Sequence, residues 1–201
     1  MSQNECPFGS HLQKYWDRRY YFFSKFDEGI EIDEEGLYSV KPEEEMLKVG
    51  ERLKGNTVLD AFCGLGGSSI ALARLGKKVI TYDTSLERLA MARKNASIYG
   101  VEKEIYFIHG DVTKDIENIE ADCVYLDPPW GGPDYINNGF NLSSFLPDGN
   151  FLLEKSFSKF NHVSISVPLH FHIEDIIKMG RDFEVVYAHY EGQEIYYTII
   201  F

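Results

Sequence analysis

The chain has 201 residues, 44% of them hydrophobic and 14% aromatic, which is enough for one sizeable folded domain and argues against a disordered chain. Its formal net charge of −12 disfavours a general nucleic-acid coat protein, which usually carries a basic excess, but it suits a small or cationic ligand. We expect a soluble protein of a reducing, intracellular compartment, because the three cysteines are widely spaced and neither a secretory signal nor an apolar run of about 18 residues is present.

The first part of the chain is predicted to form a helical extension. Apolar residues of "HLQKYWDRRYYFFSKFD" recur at helical spacing, at Leu12, Tyr15, Trp16, Tyr20 and Phe23. A second face carries the basic side chains of His11, Lys14 and Arg18, and this face either binds an anionic ligand or is an ordinary solvated helix surface. We therefore predict a helical extension over residues 1–38 and a main domain over residues 39–201.

From residue 56 onward, strand-like runs alternate with helical patterns. The predicted strands are residues 57–62, 78–83, 104–111, 121–129 and 162–167. The predicted helices are residues 68–76, 84–100 and 173–180, and Thr84 with Glu87 is typical of a capping box. Residues 183–190 and 194–201 have strand composition with no helix between them, so they should form a hairpin. The pattern predicts an α/β fold with a mostly parallel sheet and one antiparallel strand near the C-terminus.

Three predicted strands end in a carboxylate at the same edge of the sheet. The first ends in "DAFCGLGG", where Asp60 closes the strand and Gly64 and Gly66 let the backbone come close to a ligand. Asp83 follows 23 residues after Asp60, a spacing typical of a residue that binds the two hydroxyls of a ribose. Asp111 ends the third strand. Ligands of such sheets bind at this edge, which makes it the predicted cofactor site.

The same residues indicate which cofactor is bound. The glycine pattern matches neither the dinucleotide motif G-x-G-x-x-G nor a P-loop. A phosphate-rich cofactor such as NAD would meet three like charges, whereas ribose hydroxyls, an adenine amine and a positive sulfonium would be favoured. We therefore predict S-adenosylmethionine as the cofactor. The alternative for any single aspartate is a helix cap.

The loop after the fourth predicted strand, "DPPWGGPDY" at 127–135, combines many backbone constraints. We expect the carbonyls of Asp127 and Pro128 to bind an exocyclic amine and to aim its lone pair at a methyl donor. Asp127 would orient this amine or accept its proton, and Trp130 offers a flat face on which a base stacks. The alternative is a proline-capped turn with a core tryptophan.

Four segments together resemble the trimethylguanosine synthase family, whose members add methyl groups to N2 of 7-methylguanosine on small RNAs. They are "KYWDRRYYFFSKFDEG", "DAFCGLGG", "ARKNASIYG" and "DPPWGGPDY". "DPPW" alone is typical of amino-group methyltransferases in general, whereas "PPWGGPDY" with the N-terminal aromatic and basic segment is more specific. The resemblance implies a class I methyltransferase domain with a Rossmann-like sheet, S-adenosylmethionine as cofactor and a small helical N-terminal extension that helps to form the cap site.

The resemblance also implies roles for individual residues. The cofactor site would be formed by Asp60, Phe62, Gly64, Gly66, Asp83, Asp111 and Val112. The catalytic residues would be Asp127, Pro128 and Trp130, and the cap would be bound by Trp130, Asn95, Lys14, Phe23, Arg18 and Tyr135. N7-methylated guanine is cationic, so its stacking on an indole gains about 0.5–2 kcal/mol. Asn95 has an alternative role in bonding its own last helical turn, and Tyr135 has one as a packed loop aromatic.

Two positions depart from the family pattern. The family often carries serine where Asp127 stands, which favours a role for Asp127 in orienting the amine over proton abstraction. An arginine that follows a proline after the fifth strand is replaced, because Pro168 is followed by Leu169 and His170. One contact to a phosphate is therefore lost or passes to the histidine.

The expected reaction is direct transfer of a methyl group to N2 of the 7-methylguanosine cap of a small nuclear or nucleolar RNA. Its product would be 2,7-dimethyl- or 2,2,7-trimethylguanosine. Two alternatives stay open: an amino-group methyltransferase acting on a base of ribosomal RNA or DNA, and a cap-binding module without turnover. No metal is expected, because the cysteines and histidines show no ligand spacing. The protein is expected to be a monomer, and the resemblance implies a nuclear location, in the nucleolus or a Cajal-like body.

Overall fold

A computed structural model of the chain describes residues 5–131 and 140–201. Its strands are β1 Thr57–Asp60, β2 Lys78–Asp83, β3 Ile105–His109, β4 Cys123–Leu126, β5 His162–Pro168, β6 Glu184–Tyr190 and β7 Gln193–Ile200. They form one sheet in the order β3-β2-β1-β4-β5-β7-β6. The first five strands pair in parallel, and β7 runs antiparallel to both β5 and β6. The predicted fold class is therefore confirmed.

The α-helices of the described residues are α1 Gln13–Trp16, α2 Arg19–Phe22, α3 Glu34–Ser39, α4 Glu43–Arg52, α5 Gly67–Arg74, α6 Leu86–Ile98, α7 Val112–Asp115, α8 Gly149–Lys159 and α9 Glu174–Ile177. The predicted capping box at Thr84 is wrong: the N-cap of α6 is the next residue, Ser85, whose hydroxyl accepts a hydrogen bond from the Arg88 amide at 3.2 Å. None of these helices has the length and apolar character needed to cross a bilayer.

Two hydrophobic clusters cover opposite faces of the sheet. Along β4, Cys123 and Tyr125 belong to the first cluster, whereas Val124 and Leu126 belong to the second. Successive side chains of a strand point to opposite faces, so the clusters are separated by the sheet. The first cluster also contains N-terminal side chains, namely Cys6, Leu12, Phe22, Phe23, Ile30 and Leu37. The N-terminal segment thus consists of short helices whose apolar residues complete one core of the sheet, and the domain boundary at residue 38 stays a prediction.

A carboxylate at the start of α4 holds the N-terminal segment against the main sheet. Glu43 accepts hydrogen bonds from the amide and hydroxyl of Ser24, from the hydroxyl of Tyr99 and from the guanidinium of Arg74. Burial acts to raise the pKa of Glu43, but the hydrogen bonds outweigh it and the pKa lies below its usual range. The carboxylate form is therefore the one that fastens the N-terminal segment to α5 and α6.

We expect Glu43→Ala to lower the free energy of unfolding at pH 7 by about 1.5–3 kcal/mol, the range for hydrogen bonds to a charged group. Glu44→Ala is the matched control, because Glu44 is exposed on the same helical turn. The folded pKa of Glu43 lies below its unfolded value, so its stabilisation is present above about pH 4.3 and is lost as pH falls through the folded pKa. Urea titrations should show the gap between wild type and variant narrowing at acid pH, and a gap that is independent of pH would contradict this assignment.

Candidate active site

The carboxyl ends of three adjacent strands bring the predicted acidic residues to one edge. β2, β1 and β4 are neighbours in the sheet, and they end at Asp83, at Asp60 and directly before Asp127. Asp60 pairs in register with Thr81 of β2 and with Tyr125 of β4. The cofactor residues and the "DPPW" loop therefore lie side by side.

The glycine turn after β1 is bound directly to Asp83. The Gly64 amide donates to Oδ2 of Asp83 at 2.8 Å, and the Ser85 amide donates to Oδ1 at 2.8 Å. Gly64 and Gly66 have φ values of 52° and 83°, which favour glycine. A Cβ on Gly66 would come within 3.0 Å of the Cβ of Ala92 on α6, whereas a Cβ on Gly64 would meet no heavy atom within 4 Å. Gly66 thus permits close packing, and Gly64 leaves the turn open beside a carboxylate that can accept further hydrogen bonds.

Asp60 is fully buried, and one of its oxygens makes no hydrogen bond within the described part of the chain. Its Oδ2 accepts a hydrogen bond from the Ser69 hydroxyl at 2.6 Å, but Oδ1 is buried without a hydrogen bond to any described residue. Burial raises the pKa of Asp60 to about 7 and the charges of Asp127 and Asp83 add to the increase, whereas the Ser69 hydroxyl and the backbone amide of Phe62 oppose it. A positively charged group placed beside this carboxyl would stabilise its ionised form.

Asp111 caps the short helix α7 and also lies at the cofactor edge. Its Oδ1 accepts hydrogen bonds from the Thr113 amide at 3.1 Å and the Thr113 hydroxyl at 2.7 Å. These bonds lower the pKa of Asp111. The next residue, Val112, is buried in the second hydrophobic cluster, and Phe62 packs against that cluster from the glycine turn. Asp111 is therefore a helix cap, which was the alternative to a role in cofactor binding. Its lowered pKa favours the ionised form at this end of β3.

The loop Asp127–Trp130, which follows β4 and is called the acceptor loop below, takes part in a buried ion pair with Lys41. The sequence did not predict this contact. Lys41 Nζ lies 2.8 Å from Oδ1 of Asp127, and the side chains are 7% and 15% exposed. The same ammonium lies 3.9 Å from the ring centroid of Trp130 and 4.7 Å from that of Tyr196. Burial raises the pKa of Asp127, and the attraction of Lys41 opposes this increase. The loop therefore presents a paired carboxylate next to an indole.

Residues 55–197 match the family model of RNA cap guanine-N2 methyltransferases, which is more than half of the chain. The chain belongs to the RNA cap guanine-N2 methyltransferase family. It is an S-adenosylmethionine-dependent enzyme that acts on N2 of the cap guanine. This family assignment favours cap methylation over the two alternatives that the sequence left open, a methyltransferase acting on bases of ribosomal RNA or DNA and a cap-binding module without turnover.

Two curated relatives of this cap methyltransferase are yeast enzymes. The chain is 31% identical to the trimethylguanosine synthase of Schizosaccharomyces pombe over 186 residues, which cover 87% of this chain and 77% of the relative. It is 36% identical to the trimethylguanosine synthase of Saccharomyces cerevisiae over 161 residues, 74% of this chain and 51% of the relative. The chain thus spans about half the length of the second relative.

A solved structure supports the fold of the cap methyltransferase. The tRNA (uracil-54, C5)-methyltransferase of Pyrococcus abyssi, in complex with S-adenosyl-L-homocysteine, superposes with a TM-score of 0.55 at 20% identity. The match covers 81% of this chain and 38% of that chain. At this identity the likeness concerns the fold, a class I methyltransferase sheet.

The residues of the cap methyltransferase fit its cofactor. The Asp60 oxygen that makes no hydrogen bond to the described residues suits the ammonium group of the cofactor's methionine part. The acceptor positions that Asp83 has left suit the two hydroxyls of the cofactor's ribose. A phosphate at this edge would meet the acidic side chains of Asp60, Asp83 and Asp111, as predicted from the sequence. Within residues 5–131 and 140–201, no group of three or more His, Cys, Asp or Glu side chains is arranged to hold a metal.

In the structure, the basic side chains predicted to bind the cap phosphates contact protein side chains, and each contacts a different one. His11 lies 3.4 Å from a carboxylate oxygen of Glu34, and Lys14 is exposed with its ammonium 4.8 Å from the ring centroid of Tyr15. The guanidinium of Arg18 stacks at 4.1 Å on the ring of Tyr190, at the end of β6. Because α1 ends before Arg18, the three side chains do not form a single helix face. Phosphate binding by Lys14 and Arg18 stays a prediction.

Phe23 and Asn95 have structural roles in the cap methyltransferase. Phe23 is 2% exposed and belongs to the first hydrophobic cluster. Asn95 is fully buried, and its side chain bonds the amide and carbonyl of Glu31 and the carbonyl of Leu65. Asn95 thus joins α6 to the N-terminal segment and does not bond its own last turn. Contact of either residue with the cap base stays a prediction, and Tyr135 lies outside the described residues.

Proposed function

We propose that this chain methylates N2 of the 7-methylguanosine cap of small RNAs and forms 2,7-dimethyl- or 2,2,7-trimethylguanosine. The observation that carries the proposal is the adjacency of two sites at one sheet edge. The carboxylates of Asp60 and Asp83 end β1 and β2, and the Asp127–Trp130 loop follows the neighbouring strand β4. The names of the two yeast relatives support the trimethylated product.

The cofactor would be held by groups at the ends of β1, β2 and β3. S-adenosylmethionine supplies a methyl group made electrophilic by its positively charged sulfur. Asp83 would accept hydrogen bonds from the ribose hydroxyls, and the glycine turn at Gly64 and Gly66 would let the backbone approach the cofactor. Asp60, whose free oxygen is buried, would lie at the methionine end, and Asp111 and Val112 beside the adenine with Phe62 nearby.

The acceptor base would be held by the residues of the "DPPW" loop. The carbonyl of Pro128 and the carboxylate of Asp127 would accept hydrogen bonds from the N2 amine and so direct its lone pair toward the cofactor. The amine would lose a proton to water once the nitrogen–carbon bond has begun to form, and Asp127 would act mainly by orienting the amine and by its negative charge. Trp130 would stack on the cationic purine and gain about 0.5–2 kcal/mol from the positive charge.

The N-terminal segment, residues 1–38, would complete the cap site. Lys14 and Arg18 are cations of this segment that would neutralise the phosphate chain, while Phe23, Asn95 and Tyr135 would shape the pocket around the base. Phe23 and Asn95 would do this from the buried positions described above. We further propose that the protein acts as a monomer in the nucleus, an inference supported by the eukaryotic origin of the two trimethylguanosine synthases.

The direct test is product analysis with 7-methylguanosine diphosphate and isotopically labelled S-adenosylmethionine. We expect mass spectrometry to show one or two added methyl groups, both on N2, and no product from unmethylated GDP. A parallel reaction with a capped small RNA should give the same modified nucleotide after digestion. Methylation of GDP at the same rate, or of internal bases with the cap untouched, would remove the requirement for 7-methylguanosine.

A further inference from the structure

Lys41 differs from the other lysines of the described residues because its side chain is buried. Lysine is almost never this buried unless it is paired. The backbone of Lys41 lies beside the glycine turn: a Cβ on Gly67, at the start of α5, would come within 3.2 Å of the Lys41 carbonyl oxygen. The other end of the side chain reaches Asp127. Lys41 therefore connects the cofactor side of the site to the acceptor loop.

The ammonium of Lys41 contacts the two groups that the proposed reaction needs from the acceptor loop. It forms a 2.8 Å ion pair with Asp127 and lies 3.9 Å from the ring centroid of Trp130. Tyr196 of β7 encloses the same ammonium, with its ring centroid at 4.7 Å. Both rings lie within the distance at which a cation is attracted to an aromatic face. One positive charge thus fixes the carboxylate and the indole relative to each other.

We propose that Lys41 is a positioning residue for methyl transfer, holding Asp127 as a carboxylate and keeping the indole of Trp130 in place for the base. Its catalytic consequence rests on the function proposed above, whereas its effect on Asp127 does not. Lys41 remains in place when the base binds, because its departure would leave a buried carboxylate without a partner. The proposal therefore requires a base that stacks on Trp130 to use the indole face opposite Lys41.

The groups that face Asp127 determine the direction of the charge effect. Lys41 is positive, Asp60 is negative when ionised, and the hydroxyls of Tyr125 and Tyr196 are neutral because burial raises their pKa values well above the ordinary range. Burial raises the pKa of Asp127, and Lys41 lowers it. Removal of the ammonium therefore moves this pKa further upward, so that more of Asp127 is protonated at neutral pH.

The test compares Lys41→Met with Lys41→Arg in a Trp16→Phe background. The chain has two tryptophans, so Trp130 then supplies all the tryptophan fluorescence. We expect the fluorescence midpoint that reports ionisation of Asp127 to rise by about 1–3 pH units in Lys41→Met, the range for loss of an opposite charge, and to stay close to wild type in Lys41→Arg. The acid limb of the pH profile of kcat/KM should move in the same direction. The transition assigned to Asp127 should be absent after Asp127→Asn.

Lys155→Met is the matched control, because the ammonium of Lys155 also lies 2.8 Å from a carboxylate, that of Glu117, but outside the site. It should leave the midpoint unchanged. Lys41→Gln repeats the test if Lys41→Met does not fold. An unchanged midpoint in the neutral variants of Lys41 overturns the proposal. Tighter binding of 7-methylguanosine diphosphate by Lys41→Met also overturns it, because Lys41 would then compete with the base. A shifted midpoint in a protein without cap methylation contradicts the proposed function and leaves the pairing of Lys41 with Asp127 intact.

Discussion

Trp130→Ala is expected to abolish cap turnover while leaving cofactor binding within about twofold of wild type, an energy difference of about 0.4 kcal/mol. Base stacking on an aromatic side chain contributes about 1–3 kcal/mol, so the Kd of 7-methylguanosine diphosphate should rise by about 5- to 150-fold. The loss for GDP should be smaller, because the neutral guanine lacks the cation–π contribution of about 0.5–2 kcal/mol. The preference for 7-methylguanosine diphosphate over GDP should therefore be smaller in Trp130→Ala than in wild type. Calorimetric titration with S-adenosylmethionine, 7-methylguanosine diphosphate and GDP measures all three quantities.

Two further variants make this test specific. Trp130→Phe keeps a ring with a weaker quadrupole, so its preference for the methylated base should fall between wild type and Trp130→Ala. Trp16→Phe is the control for loss of a tryptophan: the Trp16 ring packs edge-on against Phe26 at 5.4 Å, and its buried indole N–H has no hydrogen bond to any described residue. This control should leave all three affinities unchanged. Equal losses of cofactor and base binding in Trp130→Ala would show that the indole supports the whole site and does not stack on the cap.

The parts of this enzyme that the sequence predicts well are those where one local signal is sufficient. Strands β2 and β5 were predicted almost residue for residue, because β-branched runs there are bounded by clear turn signals. Helix α8 is absent from the prediction although it lies between the predicted parallel strands β4 and β5, and the signal that could have found it is its N-cap Asp148, which accepts hydrogen bonds from the amides of Asn150 and Phe151. The true N-cap of α6 is Ser85, next to the predicted Thr84, and both are good capping residues. Local composition cannot choose between two adjacent caps.

At the candidate active site, too, the sequence predicts only those contacts that a local signal indicates. Asp60, Asp83 and Asp127 could be predicted to lie together because parallel strands end at a common edge. Lys41 is 86 residues before Asp127, and nothing in "SVKPE" distinguishes it from a solvated lysine. Only tertiary packing brings its ammonium under the indole. Asn95 illustrates the converse case, since its buried amide supports the backbone of Glu31, a contact between segments that sequence spacing does not reveal.

Asp83→Ala is expected to raise the Kd of S-adenosylmethionine by about 10- to 150-fold, because a carboxylate that accepts two ribose hydroxyls supplies charged hydrogen bonds of about 1.5–3 kcal/mol. Affinity for 7-methylguanosine diphosphate, measured without cofactor, should change much less, since the proposed binding site of the base is Trp130 and not Asp83. Trp130→Ala should give the opposite result, with affinity for 7-methylguanosine diphosphate reduced and affinity for the cofactor retained. Together, the two variants distinguish residues that bind the cofactor from residues that bind the base.

Asp83 also accepts hydrogen bonds from the amides of Gly64 and Ser85, so part of the loss could reflect a loosened turn. Asp83→Asn separates the two contributions in part, because its amide oxygen can keep one of the two backbone hydrogen bonds while its NH2 group faces the other backbone N–H and the negative charge is gone. If charge on the ribose hydroxyls dominates, Asp83→Asn should bind cofactor nearly as poorly as Asp83→Ala yet unfold at a temperature between those of Asp83→Ala and wild type, because it keeps one of the two backbone hydrogen bonds. Asp182→Ala, a change at an exposed aspartate before β6, controls for loss of a surface charge. Unchanged cofactor affinity in both Asp83 variants would mean that the ribose is held elsewhere, because no loosening of the turn could hide so large an effect.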